Sequence, residues 1–532
     1  MLAIELGQRG IPCVLVEEDA APPTFPKANA TTSRTMEHYR RLGFAAEIRS
    51  LGMTEDYPQD IAYFTRFTTH ELARVRGRTR REAAQAREGA YSRWPTPEPL
   101  HRTQQMYIEP VLQRQAERCP SVAARFGWRL VAFTSTAAGV HATIENSASG
   151  EREDVSADYL CGCDGPRSLV RTTLGIQYQG WAGEERDFLG GKMLATYFRS
   201  PAFYDIVPHG KSWQYWATNR TRRGTTAAID GKGLFVAMAQ LPRGQDPTEA
   251  YGRESLALTT GREFPLEILG CEPWTAGLTL VAERYADEHR RVFLVGDSAH
   301  LFTPTGGQGY NTAVDDAANL GWKLAAMCTG WGGSALLDTY NAERRPIGER
   351  NTRFARAMAD SIGRMVIPSE IEEETPAGQA ARERLGAQLL HHCNVEFDIP
   401  GIHFGMFYGG SPIIASDGTP APKDDWNLYT PNATPGARAP HLWVNDGVSI
   451  FDRFGRGFTL VRMGKKLPDA RAYVDAAASL GIPLTVIDVQ GEEARDLYGA
   501  DLALIRPDHH VAWRGSTTGD ARATLARVAG RG

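Results

Sequence analysis

The run Val292-Phe-Leu-Val-Gly296-Asp297-Ser-Ala-His-Leu-Phe-Thr-Pro304-Thr-Gly306-Gly307-Gln308-Gly309-Tyr310-Asn311-Thr312, continued by Ala-Val-Asp-Asp-Ala-Ala-Asn-Leu-Gly-Trp-Lys-Leu-Ala325, decides the fold. Its start, Arg291 to Val295, is a buried-type strand that delivers Gly296 and Asp297 to its carboxyl end. A carboxylate there can accept a hydrogen bond from a sugar-like hydroxyl. Gly306, Gly307 and Gly309 remove side chains, so a flat or anionic ligand can approach the backbone. The helix expected from about Thr312 to Met327 aims its free amides and positive dipole end at that ligand. An ordinary glycine-rich strand-to-helix loop is the bland alternative.

Working outward, the opening reads as half of a βαβ unit. Met1 to Arg9 has helical periodicity, Gly10 stops the helix, and Ile11 to Val16 is a short strand ending in Glu17. An acid at that point typically binds the adenosine ribose of a dinucleotide. Thr35 to Leu42 and Ile108 to Arg118 are helix candidates. Val122 to Asp158 alternates like antiparallel strands. In Tyr159-Leu-Cys-Gly-Cys-Asp164-Gly165-Pro-Arg-Ser168-Leu-Val-Arg171, Asp164 and Gly165 make a turn after a strand. Ser168 and Arg171 share a face of the next helix. The bland alternative is a helix cap, with Asp164 capping and Arg171 solvated.

The Asp297 run resembles the ribityl-binding segment of the aromatic-ring flavoprotein monooxygenases, the family of phenol, chlorophenol, hydroxyphenylpropionate and polyketide hydroxylases. The Asp164 segment is similar to that family's Asp-Gly motif, linked to FAD and the reduced nicotinamide. The resemblance implies that Asp297 holds the ribityl hydroxyls and Pro304 sits beside the flavin. The amides after Gly306 would face its pyrimidine end, with Gln308, Gly309, Tyr310 and Asn311 completing the match. It further implies cofactor contacts from Glu17, Lys27, Arg34 and Gln105 and from Asp164, Gly165, Ser168, Arg171 and Gly296. Asn29 falls near an acid that helps some phenol hydroxylases ionise their substrate, so the catalytic base is unassigned. Tyr340, Glu343 and Arg344 read as braces of the FAD domain.

The expected fold is α/β in five stretches. Residues 1–180 and 281–365 form a Rossmann-like FAD-binding domain. Residues 181–280 form a substrate-binding sheet domain, 366–430 a helical linker, and 431–532 a thioredoxin-like domain without Cys-x-x-Cys. Relatives begin with a strand and a G-x-G-x-x-G turn that this chain does not contain. The expectation is therefore a parallel sheet lacking its first strand and weak FAD affinity.

The implied reaction is hydroxylation of a phenolic ring with NADPH or NADH and O2 through a C4a-hydroperoxyflavin. Tyr197, Trp213 and Tyr215 are candidate substrate-wall residues, and core packing is an equal alternative for each. Alternation puts Trp213 and Tyr215 on one face, Gln214 and Trp216 on the other. Rival readings are a halogenase or epoxidase on the same fold, for which Trp213-Gln-Tyr-Trp216 has the wrong spacing, and a non-catalytic flavoprotein-like scaffold.

Bulk properties agree. With 532 residues, two or three domains are expected, and a net charge of -4 argues against a nucleic-acid partner. No apolar run would cross a bilayer, and Glu5 within the first residues does not suit a signal peptide, so the cytoplasm is the expected location. The seven cysteines are scattered and read as reduced thiols. His509 and His510 read as a surface pair, and no metal is expected. A homodimer is expected only by analogy with the family.

Overall fold

The computed structural model describes residues 1–182, 186 and 188–532. The helix Leu2–Gly7 stops where Gly10 takes a φ of 73°, and the strand Cys13–Glu17 follows. That strand pairs in parallel with Val122–Phe126, the helix Gln105–Glu117 lying between them in sequence. The expectation of a wholly antiparallel 122–158 is therefore corrected. Val122–Phe126 is the return strand of a crossover, and the antiparallel meander begins only at Trp128–Thr136. A second parallel pair joins Leu160–Gly162 to Val292–Leu294. Gly162 is required there, since a Cβ would come within 2.7 Å of Val170.

The chain between these pairs builds a seven-stranded sheet in the order Glu267–Ala276, Gly191–Arg199, Leu234–Gln240, Arg223–Ala228, Gln214–Thr218, Ile61–Phe64, Glu71–Val75. Only Ile61–Phe64 with Gln214–Thr218 is a parallel pairing. The sheet thus extends beyond 181–280 by two strands from the first hundred residues. The charged stretch after Arg74 contains a short surface helix, Arg80–Gln85, fixed by a capping box from Thr79 and Glu82.

Gln308–Cys328 and Asp338–Gly363 are long helices packed on each other, and the second also packs on the strand Thr279–Ala282. The first starts at Gln308 rather than Thr312, directly after Gly306 and Gly307 turn the chain with φ of 68° and 64°. The 366–430 stretch contains the helix Pro376–Phe397, which lies so close to the sheet's edge strand that a Cβ on Gly386 would meet the Leu72 carbonyl at 2.2 Å.

From residue 443 a four-stranded sheet forms in the order Leu484–Val489, Phe458–Met463, Leu502–Ile505, Val511–Gly515, with the helices Arg471–Leu480 and Ala521–Val528 packed together. His509 and His510 correct the expectation of a surface pair, as both are buried. Their rings pack on Phe451 and Phe454 and on Tyr408 respectively, and burial pulls both pKa values down. No helix of the described residues is long and apolar enough to cross a membrane.

Candidate active site

A cavity of about 890 Å³ opens between the second parallel pair, the long helix Gln308–Cys328 and the seven-stranded sheet. That is large for a single small-molecule site. At its floor, the strand Val292–Leu294 ends in Val295, Gly296 and Asp297. Tyr178 donates its hydroxyl to the Asp297 carbonyl at 2.6 Å, which fixes the turn. The Asp297 carboxylate receives no hydrogen bond from a described residue and opens on the cavity. Protein on the other sides desolvates it and pushes its pKa up, with His300 opposing.

Pro304, Thr305, Gly306, Gly307, Gln308, Gly309 and Tyr310 line the adjoining wall. Gly306 has no room for a side chain: a Cβ would stand 2.5 Å from the Phe354 ring, and its φ is 68°. The 21-residue helix that follows has no side-chain cap, so its amide end faces the cavity. Below the turn, Asp316 is buried with Arg344 Nε at 2.7 Å and His300 Nε2 at 2.6 Å. Burial would raise its pKa, but Arg344 and His300 together hold it low.

The opposite wall is one face of the sheet: Ala195, Gln214, Trp216, Thr225, Ala227, Val236, Met238, Glu272 and Trp274. Successive strands contribute alternate residues, as the two-residue period requires.

Of the residues singled out from sequence, Lys27, Asn29, Gln105, Gly165, Gly296, Asp297, Pro304, Gly306, Gly307, Gln308, Gly309, Tyr310 and Trp213 line this cavity. The others do not, for identifiable reasons. Arg34 is buried away from it, donating to Glu37 at 3.0 Å and to the Asp508 carbonyl at 2.6 Å. Asn311 is a backbone clamp: it accepts from Thr32 N and Thr35 Oγ1 and donates to the Ala30 and Gly307 carbonyls.

Ser168 caps the helix Leu169–Thr173 through Arg171 N at 2.8 Å, and Asp164 accepts from Val170 N at 3.0 Å. Arg171 is buried, not solvated; it donates to the Ile176 carbonyl and lies over the Tyr178 ring. The capping alternative describes Asp164 and Ser168, and its solvated Arg171 is corrected to a buried one. Glu17 is exposed at the carboxyl end of its strand, accepting from Asp19 N.

Among the aromatics, Tyr215 is corrected to core. It points through the sheet onto Phe64, Phe67 and Phe203, and the face that meets the cavity is that of Gln214 and Trp216. Trp213 reaches the cavity because it precedes the strand and escapes its alternation. Tyr197 lies edge-on to Phe25 in a separate cleft of about 480 Å³.

Several cavity residues had not been singled out as contacts: Arg102, Glu109, Trp216, Glu272, Glu396 and Phe397. Glu396 Oε1 accepts from Gly306 N at 2.9 Å, and its Oε2 lies 2.8 Å from His392 Nε2. The i, i+4 spacing of His392 and Glu396 was visible in the sequence. Glu109 has its pKa raised by burial and accepts from Gln105. Nothing in the local pattern marked Arg102.

These residues fit a flavin nucleotide. Asp297 offers an acceptor without a protein donor, suited to polyol hydroxyls. The glycine turn exposes backbone, and the uncapped helix end favours a ligand edge that takes negative charge.

The known proteins agree. Residues 1–355 match the FAD binding domain family, and residues 432–532 match the aromatic-ring hydroxylase C-terminal family. The chain is 29% identical to the FAD-dependent monooxygenase opdD of Penicillium oxalicum, over 94% of this chain and 99% of that protein. It is 31% identical to the aklavinone 12-hydroxylase DnrF of Streptomyces peucetius, over 86% of this chain and 88% of that one. The solved structure of the rebeccamycin biosynthetic enzyme RebC with reduced flavin superposes with a TM-score of 0.87 at 31% identity, covering 100% of this chain and 96% of that chain.

Proposed function

The chain belongs to the FAD-dependent aromatic-ring hydroxylases, and from that premise we propose that it hydroxylates a phenolic ring with O2 and NADPH or NADH. It is an FAD-dependent monooxygenase of aromatic compounds. The observation that carries the finer reading is the cavity itself. One wall bears Asp297, without a donor among the described residues, and the amide end of a long helix, and the facing wall is mostly apolar and aromatic, with Gln214, Thr225 and Glu272 among it.

In this reading Asp297 accepts from the ribityl hydroxyls, and Gly306, Gly307, Gln308 and Gly309 present backbone to the isoalloxazine edge. Pro304 and Tyr310 flank it, while Lys27 and Gln105 close the mouth, with Gly165 and Gly296 leaving room for the approach. Glu17, at the end of its strand, faces the adenosine side. Bound FAD supplies the redox chemistry, taking reducing equivalents from the nicotinamide and activating dioxygen for transfer to the ring. The chain's own part is positional. The helix end stabilises negative charge on the ligand edge beside it, and Glu396 holds the Gly306 amide in place. Trp213, Trp216 and Met238 pack the substrate ring and keep water out.

Residues 1–180 and 281–365 act as the FAD-binding part, with 181–280 supplying most of the substrate wall and 366–430 closing the sheet edge. The strand order and flanking helices of the 431–532 module support a thioredoxin-like reading, and no cysteine of the chain follows Cys393, which supports packing rather than dithiol chemistry. A homodimer and a cytoplasmic setting complete the reading.

The test is NADPH and NADH consumption by the purified, FAD-supplemented chain against a panel of phenols. Consumption that a phenol accelerates supports the proposal. Flavin binding with consumption indifferent to every phenol would contradict the phenolic reading.

A further inference from the structure

Arg102 is a cation with no carboxylate partner among the described residues. It lies just before the helix Gln105–Glu117 and lines the cavity. Its Cζ sits 3.8 Å from the centroid of the Trp213 ring and 5.8 Å from that of Phe397. It donates no hydrogen bond to any described residue, and no carboxylate of a described residue comes within ion-pair distance. The charged or titratable groups facing it are Cys393, Glu396 and His403. Glu396 Oε1 is engaged by the Gly306 amide and its Oε2 lies 2.8 Å from His392 Nε2, and burial pulls the His403 pKa down to about 3, leaving it neutral.

The half-buried guanidinium carries a desolvation penalty that the Trp213 face and the charge of Glu396 offset only in part, and its N–H donors meet no acceptor among the described residues. Burial pulls its pKa down to about 10, so it stays charged at neutral pH. Stacking occupies the face of the guanidinium and leaves its N–H edges free. Those edges match a planar oxyanion that enters beside the indole. A neutral ring would leave the donors unsatisfied.

We propose that Arg102 determines substrate specificity by binding an oxyanion on the aromatic substrate, a ring carboxylate or an ionised phenol, in the pocket of Trp213, Trp216 and Phe397. The inference rests on the hydroxylase reading above and names its substrate class. It gives a role in ionising the substrate to a cation, where Asn29 supplies no carboxylate.

The experiment measures binding to the FAD-supplemented full chain. Calorimetry compares 2-naphthoate with its neutral isostere naphthalene-2-carboxamide, and absorbance follows the ionisation of bound 2-naphthol. The proteins are the wild type, Arg102→Gln and Arg102→Lys. The wild type should prefer naphthoate over the carboxamide by roughly tenfold or more, or should hold 2-naphthol ionised at a pH where free naphthol is neutral. The first result identifies a carboxylate, the second a phenolate. Arg102→Gln should abolish whichever preference is found and leave the carboxamide affinity as it was, and Arg102→Lys should restore part of it. Three results overturn the proposal: no anion preference in the wild type, an equal loss for both probes in Arg102→Gln, or a loss confined to FAD affinity. Flavin absorbance of the same samples separates the two readings. Anion preference without flavin uptake contradicts the hydroxylase reading alone; flavin uptake with phenol-dependent NAD(P)H consumption but no anion preference contradicts this one alone.

Discussion

The cavity and the seam between the C-terminal module and the long helices handle buried charge in opposite ways. At the seam, Glu343 receives Lys323 Nζ at 2.7 Å and both outer nitrogens of Arg506 at 2.7 and 2.8 Å, while Arg506 also holds Asp508. Glu37 is clasped by Arg438 and Arg34. In the cavity, Asp297 and Arg102 have no such partners among the described residues. Charges closed on each other fix one arrangement of the chain, and charges left open in a cavity are completed by a ligand. The difference separates residues that look alike in sequence: Arg34 and Arg102 are both arginines ahead of or within a helix, and of the two Arg102 lines the cavity.

The largest expected effect lies at the seam. Glu343→Ala strands Lys323 and leaves Arg506 only Asp508, and should destabilise the protein by about 3–5 kcal/mol, read as the denaturant midpoint. An unchanged midpoint would break the comparison. Next comes acid. Burial alone would raise the Glu37 carboxyl, but Arg438 and Arg34 bring its pKa down from 4.5 to about 2. A depressed folded pKa stabilises fully above the unfolded value, and the contribution is lost as pH falls from 4.5 through 2. The loss over that window is on the order of 3 kcal/mol, and Glu37→Gln should flatten it in unfolding curves taken across pH.

A change in the cavity should act on binding instead. Asp297→Asn should weaken FAD by about 1.5–3 kcal/mol, ten- to a hundredfold, by flavin fluorescence titration. Its denaturant midpoint should stay within about 0.5 kcal/mol of wild type, because no protein donor is left behind. The smallest effect sharpens the boundary. Ser168→Ala should cost about 1 kcal/mol of stability as a lost helix cap and leave FAD affinity unchanged. A drop in affinity would return Ser168 to the site.

Much of this was legible beforehand. The Asp297 run announced the strand, turn and helix because glycine and a terminal carboxylate have few other uses in that order. What the sequence concealed was orientation. Val122–Phe126 alternates like its antiparallel neighbours, and only the chain reversal through Gln105–Glu117 makes it parallel. Tyr215 and Trp216 are adjacent aromatics, and no local pattern says which face of the sheet is covered by Phe64 and Phe203. Ser168 and Arg171 sit at site spacing and at capping spacing at once. Arg102 was invisible because its proposed role depends on Trp213 and Phe397, over a hundred residues away, and on no described carboxylate lying within ion-pair distance. The burial of His509 and His510 likewise follows from a docking partner, not from their own segment.

The most direct test of the central claim is the fate of oxygen. The FAD-supplemented chain is supplied with NADPH or NADH, isotopically labelled dioxygen and a phenol that accelerates nicotinamide consumption, and the product is weighed by mass spectrometry. The account predicts a hydroxylated ring carrying one labelled oxygen atom from the gas, lost in Asp297→Asn at FAD levels that saturate the wild type. Nicotinamide consumption that yields only hydrogen peroxide and unlabelled, unchanged phenol would contradict it.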